Sequence, residues 1–370
     1  MAIYQIIIFI SIVQFILFFG HWFLYKTLVF SFGLTNASVI FYLKVILGLL
    51  SLSLVVITLI VSKYSNIFTK FFYILSSSWL GFLSFLFLAA ISFWAAYFAV
   101  EKFSLPFDKK FIGSVFFVIA IGAGIYGIIN ANNLRITNIS VKFHNIPEYW
   151  KGKTAVWVSD VHVGPIRRYE FAQEVADKIK MQNPDLVFIG GDFFDGGIVD
   201  LDDFVEPFSK IVASDGIYFV AGNHEEFSDD AVYLDAIKKA GIKILNGEVV
   251  NVNGLQISGV GWKDAENKQK YKIILDQINL DKNLPSILLK HSPTNLEMAS
   301  EKGFSLQISG HTHVGQILPW NLAVKLIYRD YSYGLRKLDG MQVYTSSGAG
   351  TWGPPMRVGN YPEIVAIRFE

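Results

Sequence analysis

The sequence predicts a mixed α/β protein in two parts, a four-helix transmembrane region followed by a two-sheet sandwich flanked by helices. Three observations carry this. Four long apolar runs fill the first third of the 370 residues, and none has Asp, Glu, Lys or Arg at its centre. Beyond Arg135, short apolar runs alternate with stretches of helical spacing, the rhythm of parallel strands joined by right-handed crossovers. That second part also holds more strands than one doubly wound sheet needs, which implies a second sheet packed on the first. The expected division is residues 1–134 for the helices and 135–370 for the sandwich domain.

The first run, Ile3–Leu24, is uncharged and long enough to cross a hydrocarbon core as a helix. A cleaved signal peptide fits less well. The run has no basic segment before it, is too long, and lacks a small-residue cleavage site ahead of Lys26. The second run, Val45–Ser62, lies between Lys44 and Lys63. The third, Phe71–Val100, reads as one long tilted helix, and the fourth, Phe111–Asn130, lies between Lys110 and Arg135. This describes a multi-pass membrane protein with the lipid bilayer as its partner. Uncharged spans argue for an anchor or a lipid-facing platform over a transporter. His21, beside Trp22 near the end of the first span, reads as an interfacial side chain. Lys26, Lys44, Lys102, Lys109 and Lys110 fall to the connections on one side. Lys63, Lys70, Arg135 and Lys142 fall to the other, a balance too even to orient the chain by positive charge.

Composition excludes several functions. A net charge of +1 with no basic stripe gives no electrostatic case for a nuclease or for any nucleic-acid partner. With no cysteine, disulfides, thiolate metal ligands and cysteine nucleophiles are ruled out.

In the second part, Ile136–Phe143 alternates as a strand, and Pro147 with Gly152 marks a turn. The strand Ala155–Val158 precedes a helix over Arg168–Met181, where Phe171, Val175 and Ile179 share one face. Strand Leu186–Ile189, helix Leu201–Val212, strand Ile217–Val220 and helix Asp230–Ala240 follow. Then come strands Ile242–Leu245, Val249–Val252 and Leu255–Val260, and a helix over Gln269–Ile278. Strand Ile287–Leu289, helix Asn295–Ser300, strand Leu306–Ile308 and the late strands Val343–Ser346 and Ile364–Phe369 complete the domain.

Five strand ends carry chemistry. Asp160-Val161-His162, Gly191-Asp192, Gly222-Asn223-His224, His291 and Gly310-His311-Thr312-His313 each follow an apolar strand, and they hold five of the seven histidines. In α/β sheets, ligands gather at the carboxyl ends of strands. Asp-x-His and His-x-His each put two side chains on one face of an extended segment. Any one motif is weak, since a turn residue or a satisfied surface histidine explains it equally well. Five together at strand ends describe a metal site, and one of two-metal type.

The ordered set D-x-H, G-D, G-N-H-E, H and G-H-T-H resembles the calcineurin-like metallophosphoesterase superfamily. Val158–His162, Gly190–Gly196 and Gly348–Pro355 resemble its membrane-anchored branch of transmembrane metallophosphoesterases and some UDP-2,3-diacylglucosamine pyrophosphatases. The resemblance runs from about Arg135 to the end. It implies a metallophosphoesterase two-sheet sandwich in which Asp160, His162 and His313 hold one metal. Asn223, His291 and His311 hold the other, and Asp192 bridges the two. It further implies that His224 stabilises the phosphoryl oxygen or protonates the leaving alkoxide. Two divalent cations about 3.5–4 Å apart would acidify a bridging water to the attacking hydroxide. The nitrogen and oxygen donors suit Mn, Fe, Co or Zn. Many relatives continue the last motif as G-H-T-H-G-G-Q, where this chain has Val314 in place of the first glycine.

Three flanking features have two readings each. Asp195 either orients a metal ligand or caps a turn. Arg357 either meets a substrate phosphate or, as lone arginines more often do, lies on the surface. The apolar segment Ile317–Ile327, with Trp320, is either a buried strand or loop core, or a piece that enters the membrane interface or covers a lipid tail. The expected activity is phosphoester or pyrophosphate hydrolysis on a phosphorylated lipidic substrate, with UDP-2,3-diacylglucosamine of lipid A synthesis as the specific candidate. The alternatives are a general envelope phosphodiesterase or phosphomonoesterase, and a non-catalytic metal-stabilised binding module.

Overall fold

The computed structural model describes residues 3–61, 63–64, 66–196, 201–226 and 230–370. The chain divides into two compact units, Met1–Ile129 with Gly353–Met356, and Asn130–Trp352 with Arg357–Glu370.

The first unit holds α1 (Ile3–Phe32), α2 (Ala37–Val61), α3 (Ile67–Lys102) and most of α4 (Lys109–Ala131), each long and apolar enough to cross a bilayer. Ser62, the expected last residue of the second span, lies outside the described residues. The helices outrun the charge-free runs. Helix α1 continues past Lys26, and α2 begins before Lys44, so two lysines expected in a connection sit inside helices. A helix satisfies its own backbone whatever its side chains, and a lysine stem carries the ammonium outward. Charge therefore marks the edge of an apolar run and not the end of the helix. Asn66 starts α3 by accepting the Phe68 and Thr69 N–H groups, with Thr69 bonding back to complete a capping box.

His21 is buried and not interfacial, because α1 packs on α3 at this level. Its Nδ1 lies 2.7 Å from the Leu17 carbonyl, and Trp79 Nε1 donates to its Nε2 at 2.8 Å. One helical turn and a half further on, Trp94 Nε1 donates to Thr27 Oγ1 at 3.0 Å. These indoles satisfy the polar groups that α1 carries into an apolar bundle.

The second unit begins with β1 (Arg135–Val141), β2 (Thr154–Val158), α5 (Tyr169–Lys180), β3 (Leu186–Ile189) and α6 (Leu201–Ser209). Next come β4 (Ile217–Phe219), α7 (Asn223–Glu226), α8 (Asp230–Lys239), β5 (Lys243–Ile244), β6 (Val249–Val252) and β7 (Leu255–Val260). Then follow α9 (Trp262–Glu266), α10 (Lys268–Gln277), β8 (Ser286–Lys290), α11 (Leu296–Lys302), β9 (Leu306–Ser309) and α12 (Trp320–Tyr328). The last strands are β10 (Gly334–Leu338), β11 (Met341–Thr345) and β12 (Glu363–Phe369). Two six-stranded mixed sheets result, ordered β1-β12-β2-β3-β4-β5 and β10-β11-β9-β8-β7-β6.

Period-two alternation builds the layers. Ala155, Trp157, Leu186 and Phe188 face the second sheet and meet Ile257, Ile287, Leu289 and Ile308 in a shared core. Their neighbours Val156, Val158, Val187 and Ile189 face outward and pack with Val175 and Ile179 of α5 and Phe204 and Phe208 of α6. On the far side, Leu288 and Val343 pack with Tyr271 of α10 and Leu296 of α11. Both faces of β2 and β3 are covered, which explains their unbroken apolar runs. The strand pairs β2–β3, β3–β4 and β8–β9 are all parallel, so within each sheet these carboxyl ends emerge on one edge.

Strand β10 was not expected. It pairs antiparallel with β11 through Asp339 and Gly340, both at positive φ (45° and 92°). An Asp-Gly pair is the short-hairpin signal, and it stands in the sequence. In the segment expected as buried core or as an interfacial piece, Ile317 is buried, and the part from Trp320 onward forms α12, which has no buried residue.

Candidate metal centre

Every motif singled out from the sequence lies just beyond a strand end. Asp160 and His162 follow β2, Asp192 follows β3, Asn223 and His224 open α7 after β4, His291 follows β8, and His311 and His313 follow β9. The fold brings seven of these eight side chains together in three overlapping groups: Asp160 with His162 and His313, His162 with Asp192 and His224, and Asp192 with His291 and His311; the eighth, Asn223, joins through His291. Within each group the donor atoms lie within 4.8 Å of one another.

The chain turns sharply to present these donors. Asp160, His162, Asp192, His311 and His313 all have left-handed backbone, with φ of 54°, 51°, 49°, 69° and 45°. Such conformations cost about 1–3 kcal/mol each in non-glycine residues and persist only where the surroundings fix them. Here backbone bonds between loops do so. Asp160 N–H donates to the Gly191 carbonyl at 3.0 Å, His162 N–H to the Asp192 carbonyl at 3.0 Å, and Gly310 N–H to the His291 carbonyl at 2.8 Å. Gly191 (φ 80°) lies against the Gly222 backbone, and a Cβ at Gly310 would collide with Ser159 and Asp160. These two glycines let the strand-end loops approach.

Val314 shares this conformation (φ 51°, ψ 30°) with a β-branched side chain. Replacing it by glycine relieves the left-handed strain, partly offset by glycine's greater freedom when unfolded. We expect Val314→Gly to raise the melting temperature by about 2 °C, for a net gain of about 0.5–1 kcal/mol. A thermal melt in detergent checks this, and an unchanged or lower midpoint would show that the strain is not stored there.

The donor spacing fits bound cations. His162 Nε2 lies 3.1 Å from His313 Nε2, and His313 Nε2 lies 3.5 Å from Asp160 Oδ1. His291 Nε2 lies 3.1 Å from Asn223 Oδ1, 3.1 Å from His311 Nδ1 and 3.2 Å from Asp192 Oδ2. A cation about 2.0–2.2 Å from each ligand holds neighbouring ligands roughly 3–3.5 Å apart. Asp192 Oδ2 is also 3.8 Å from His162 Nε2, so this carboxylate faces both sets.

Outer groups orient the rings. The Gly190 carbonyl accepts from His291 Nδ1 at 2.7 Å, which turns Nε2 inward. Asp195, one of the two-way readings, lies with Oδ1 3.3 Å from His162 Nδ1, off the hydrogen-bond axis, and 3.6 Å from His224 Nδ1. Asp160 accepts from Ser159 Oγ at 2.5 Å and from the His311 N–H at 3.0 Å. Arg357 is a correction. Instead of lying on the surface it is fully buried, because its guanidinium donates to the Gly348 and Gly350 carbonyls and to Asn360 Oδ1. Its Nη2 also lies 3.2 Å from His313 Nδ1.

Glu225 is the acidic residue that closes the G-N-H-E motif. Its buried carboxylate accepts from the N–H groups of Gly222 (2.8 Å), Asp192 (2.9 Å), Phe193 (2.8 Å) and Phe194 (3.1 Å). It therefore ties the loop after β3 to the loop after β4.

Electrostatics favour incoming cations. Burial pushes His311 down to about 4, with the His291 charge adding to it, and burial next to His162 holds His313 well below its ordinary value. Both are therefore neutral, with lone pairs to give. Burial disfavours charge on His291 as well, yet the Asp192 carboxylate outweighs it and raises His291 to about 10. Asp192 in turn is held well below the carboxylate range, because His291 and His162 outweigh its burial. A proton on His291 thus partly stands in for a cation and would have to leave for His291 to serve as a metal ligand.

Comparison with known proteins agrees with this geometry. Residues 154–315 match the calcineurin-like phosphoesterase family. The chain is 30% identical over 320 residues to an uncharacterized metallophosphoesterase of Helicobacter pylori (strain J99), covering 83% of this chain and 84% of that protein. It is 30% identical to an uncharacterized metallophosphoesterase of Aquifex aeolicus, over 68% of this chain and 98% of that one. It is 28% identical to a Danio rerio transmembrane protein with metallophosphoesterase domain, over 66% of this chain and 59% of that one. On its matched relatives and its strand-end motifs, the chain belongs to the calcineurin-like metallophosphoesterase family.

Proposed function

We propose that the protein is a multi-pass membrane phosphohydrolase that uses two divalent cations to cleave a phosphoester or pyrophosphate bond of an amphiphilic substrate. The carrying observation is the convergence of seven nitrogen and oxygen donors from five strand ends at the spacing of coordinated ligands. In this reading Asp160, His162 and His313 hold one cation. Asn223, His291 and His311 hold the other, and Asp192 lies between. Mn, Fe, Co and Zn all suit the donors. Such a pair supplies Lewis acidity to the phosphoryl oxygens and makes a water acidic enough to attack.

The remaining work falls to the chain. Asp192 Oδ1 accepts the His224 N–H at 2.8 Å, which fixes the start of α7 and with it the imidazole. The His224 side chain is 17% exposed, open to an arriving substrate. Burial lowers its pKa, against the pull of Asp192, so it is neutral when the site is empty. A phosphate anion beside it raises that value, and the ring then donates to a phosphoryl oxygen or to the leaving oxygen. The attacking water would give one proton to solvent and bond through oxygen to phosphorus, the P–O bond to the leaving group would break, and the leaving oxygen would take its proton from the protonated His224 ring. His224→Gln is expected to lower kcat by about 10²–10³-fold. Metal content, read by elemental analysis, should not change, and loss of a cation would make His224 a ligand instead.

Apolar surface near the site supports an amphiphilic substrate. Trp352 is 59% exposed with its ring 6.1 Å from the His224 ring, and Tyr328 at the end of α12 is 6.3 Å from the His311 ring. Along α12 and just before it, Leu318, Trp320, Leu322, Leu326 and Ile327 are exposed. UDP-2,3-diacylglucosamine is the specific candidate, and it requires the catalytic domain in the cytoplasm. The test is hydrolysis by detergent-purified full-length protein with Mn. The substrates are that lipid nucleotide, bis-p-nitrophenyl phosphate and p-nitrophenyl phosphate, with Asp192→Ala as the blank. Turnover of the lipid nucleotide supports the assignment. Turnover of the small esters alone removes it and leaves a general envelope phosphoesterase.

A further inference from the structure

Lys26 and Lys44 are the only Asp, Glu, Lys or Arg residues among the first 62. The fold brings both to the wall of one open cleft of about 410 Å³ between α1 and α2. That size falls within the roughly 300–1,000 Å³ of small-molecule sites. Lys26 lies six residues before the end of α1, and Lys44 lies seven after the start of α2. At about 1.5 Å per residue the two stand at matching height on the hairpin. Lys44 Nζ lies 5.8 Å from the centre of the Tyr25 ring, which draws it toward α1.

Neither lysine forms an ion pair among the described residues. His21 also lines the cleft, but both of its ring nitrogens are committed to Leu17 and Trp79. The rest of the wall is mainly apolar or aromatic, with Phe18, Trp22 and Leu47, and the Ser51 hydroxyl is taken up by the Gly48 carbonyl at 2.7 Å. Two like charges on the wall of one cleft in an otherwise uncharged hairpin are unfavourable alone and favourable around an anion. The apolar wall adds a preference for an anion that carries a hydrocarbon chain.

We propose that this cleft binds an anionic phospholipid. The Lys26 and Lys44 ammonium groups pair with its phosphate oxygens, and an acyl chain lies along Phe18 and Leu47. The proposal rests on the helices lying in a bilayer and is independent of the hydrolytic reading. The test is native mass spectrometry of the detergent-purified full-length protein, titrated with phosphatidylglycerol, phosphatidylcholine and inorganic phosphate. We expect phosphatidylglycerol to be retained about tenfold over phosphatidylcholine. Lys26→Gln with Lys44→Gln should abolish that preference, and Lys44→Gln alone should weaken it several-fold. The control Lys63→Gln with Lys70→Gln, which removes two lysines elsewhere in the bundle, should leave it intact, and helicity is followed by circular dichroism. Equal retention of the two lipids, or a preference that survives the double substitution, would overturn the proposal. So would displacement of the lipid by an equal concentration of inorganic phosphate. Membrane fractionation of expressing cells tests the bilayer premise separately.

Discussion

Asp192→Asn is expected to lower hydrolysis of bis-p-nitrophenyl phosphate by about 10³-fold or more and to cost the site a cation. The reason is position. Its Oδ2 lies 3.2 Å from His291 Nε2 and 3.8 Å from His162 Nε2, so this carboxylate faces both donor sets. An imidazole offers one lone pair to one metal and cannot take this place. Asparagine can still accept the His224 N–H through one oxygen, so the start of α7 should hold. Its amide hydrogens then face the place where cations belong. Elemental analysis and kcat together make the check. A variant that keeps two cations and normal turnover would remove Asp192 from the centre of the site.

Glu225→Ala should be the most destabilising single change around the site. Four buried backbone N–H groups would lose their shared acceptor. At about 1–3 kcal/mol for each unsatisfied group, the loss is about 4 kcal/mol or more. For a domain of this size the melting temperature should fall by about 10 °C. Metal affinity should fall with it, because Asp192 N–H is one of the four. Glu225→Gln keeps one oxygen acceptor and should recover part of both losses. Equal stability of the Ala variant and the parent would show that the loops after β3 and β4 do not depend on this strap.

The sequence was most legible where local pattern and tertiary role coincide. Unbroken apolar runs such as Leu186–Ile189 announce strands buried on both faces, and each donor follows a strand. Lys26 and Lys44 misled because a charge ends a hydropathy run while the helix continues through it. Arg357 misled for a different reason: its burial depends on the Gly348 and Gly350 carbonyls, and no local pattern reports such partners. Glu225 could not be read for the same reason, since three of its four donors lie 31–33 residues away. The hairpin of β10 and β11 was readable from Asp339-Gly340, but Arg336 and Lys337 hid its apolar side.

The most direct test of a paired-cation phosphohydrolase is a metal titration of stripped full-length protein, following bis-p-nitrophenyl phosphate turnover against cations bound per chain. Turnover that is absent without metal and saturates at two equivalents is the predicted result. Turnover that persists after complete stripping, or that saturates at one equivalent, would contradict the account.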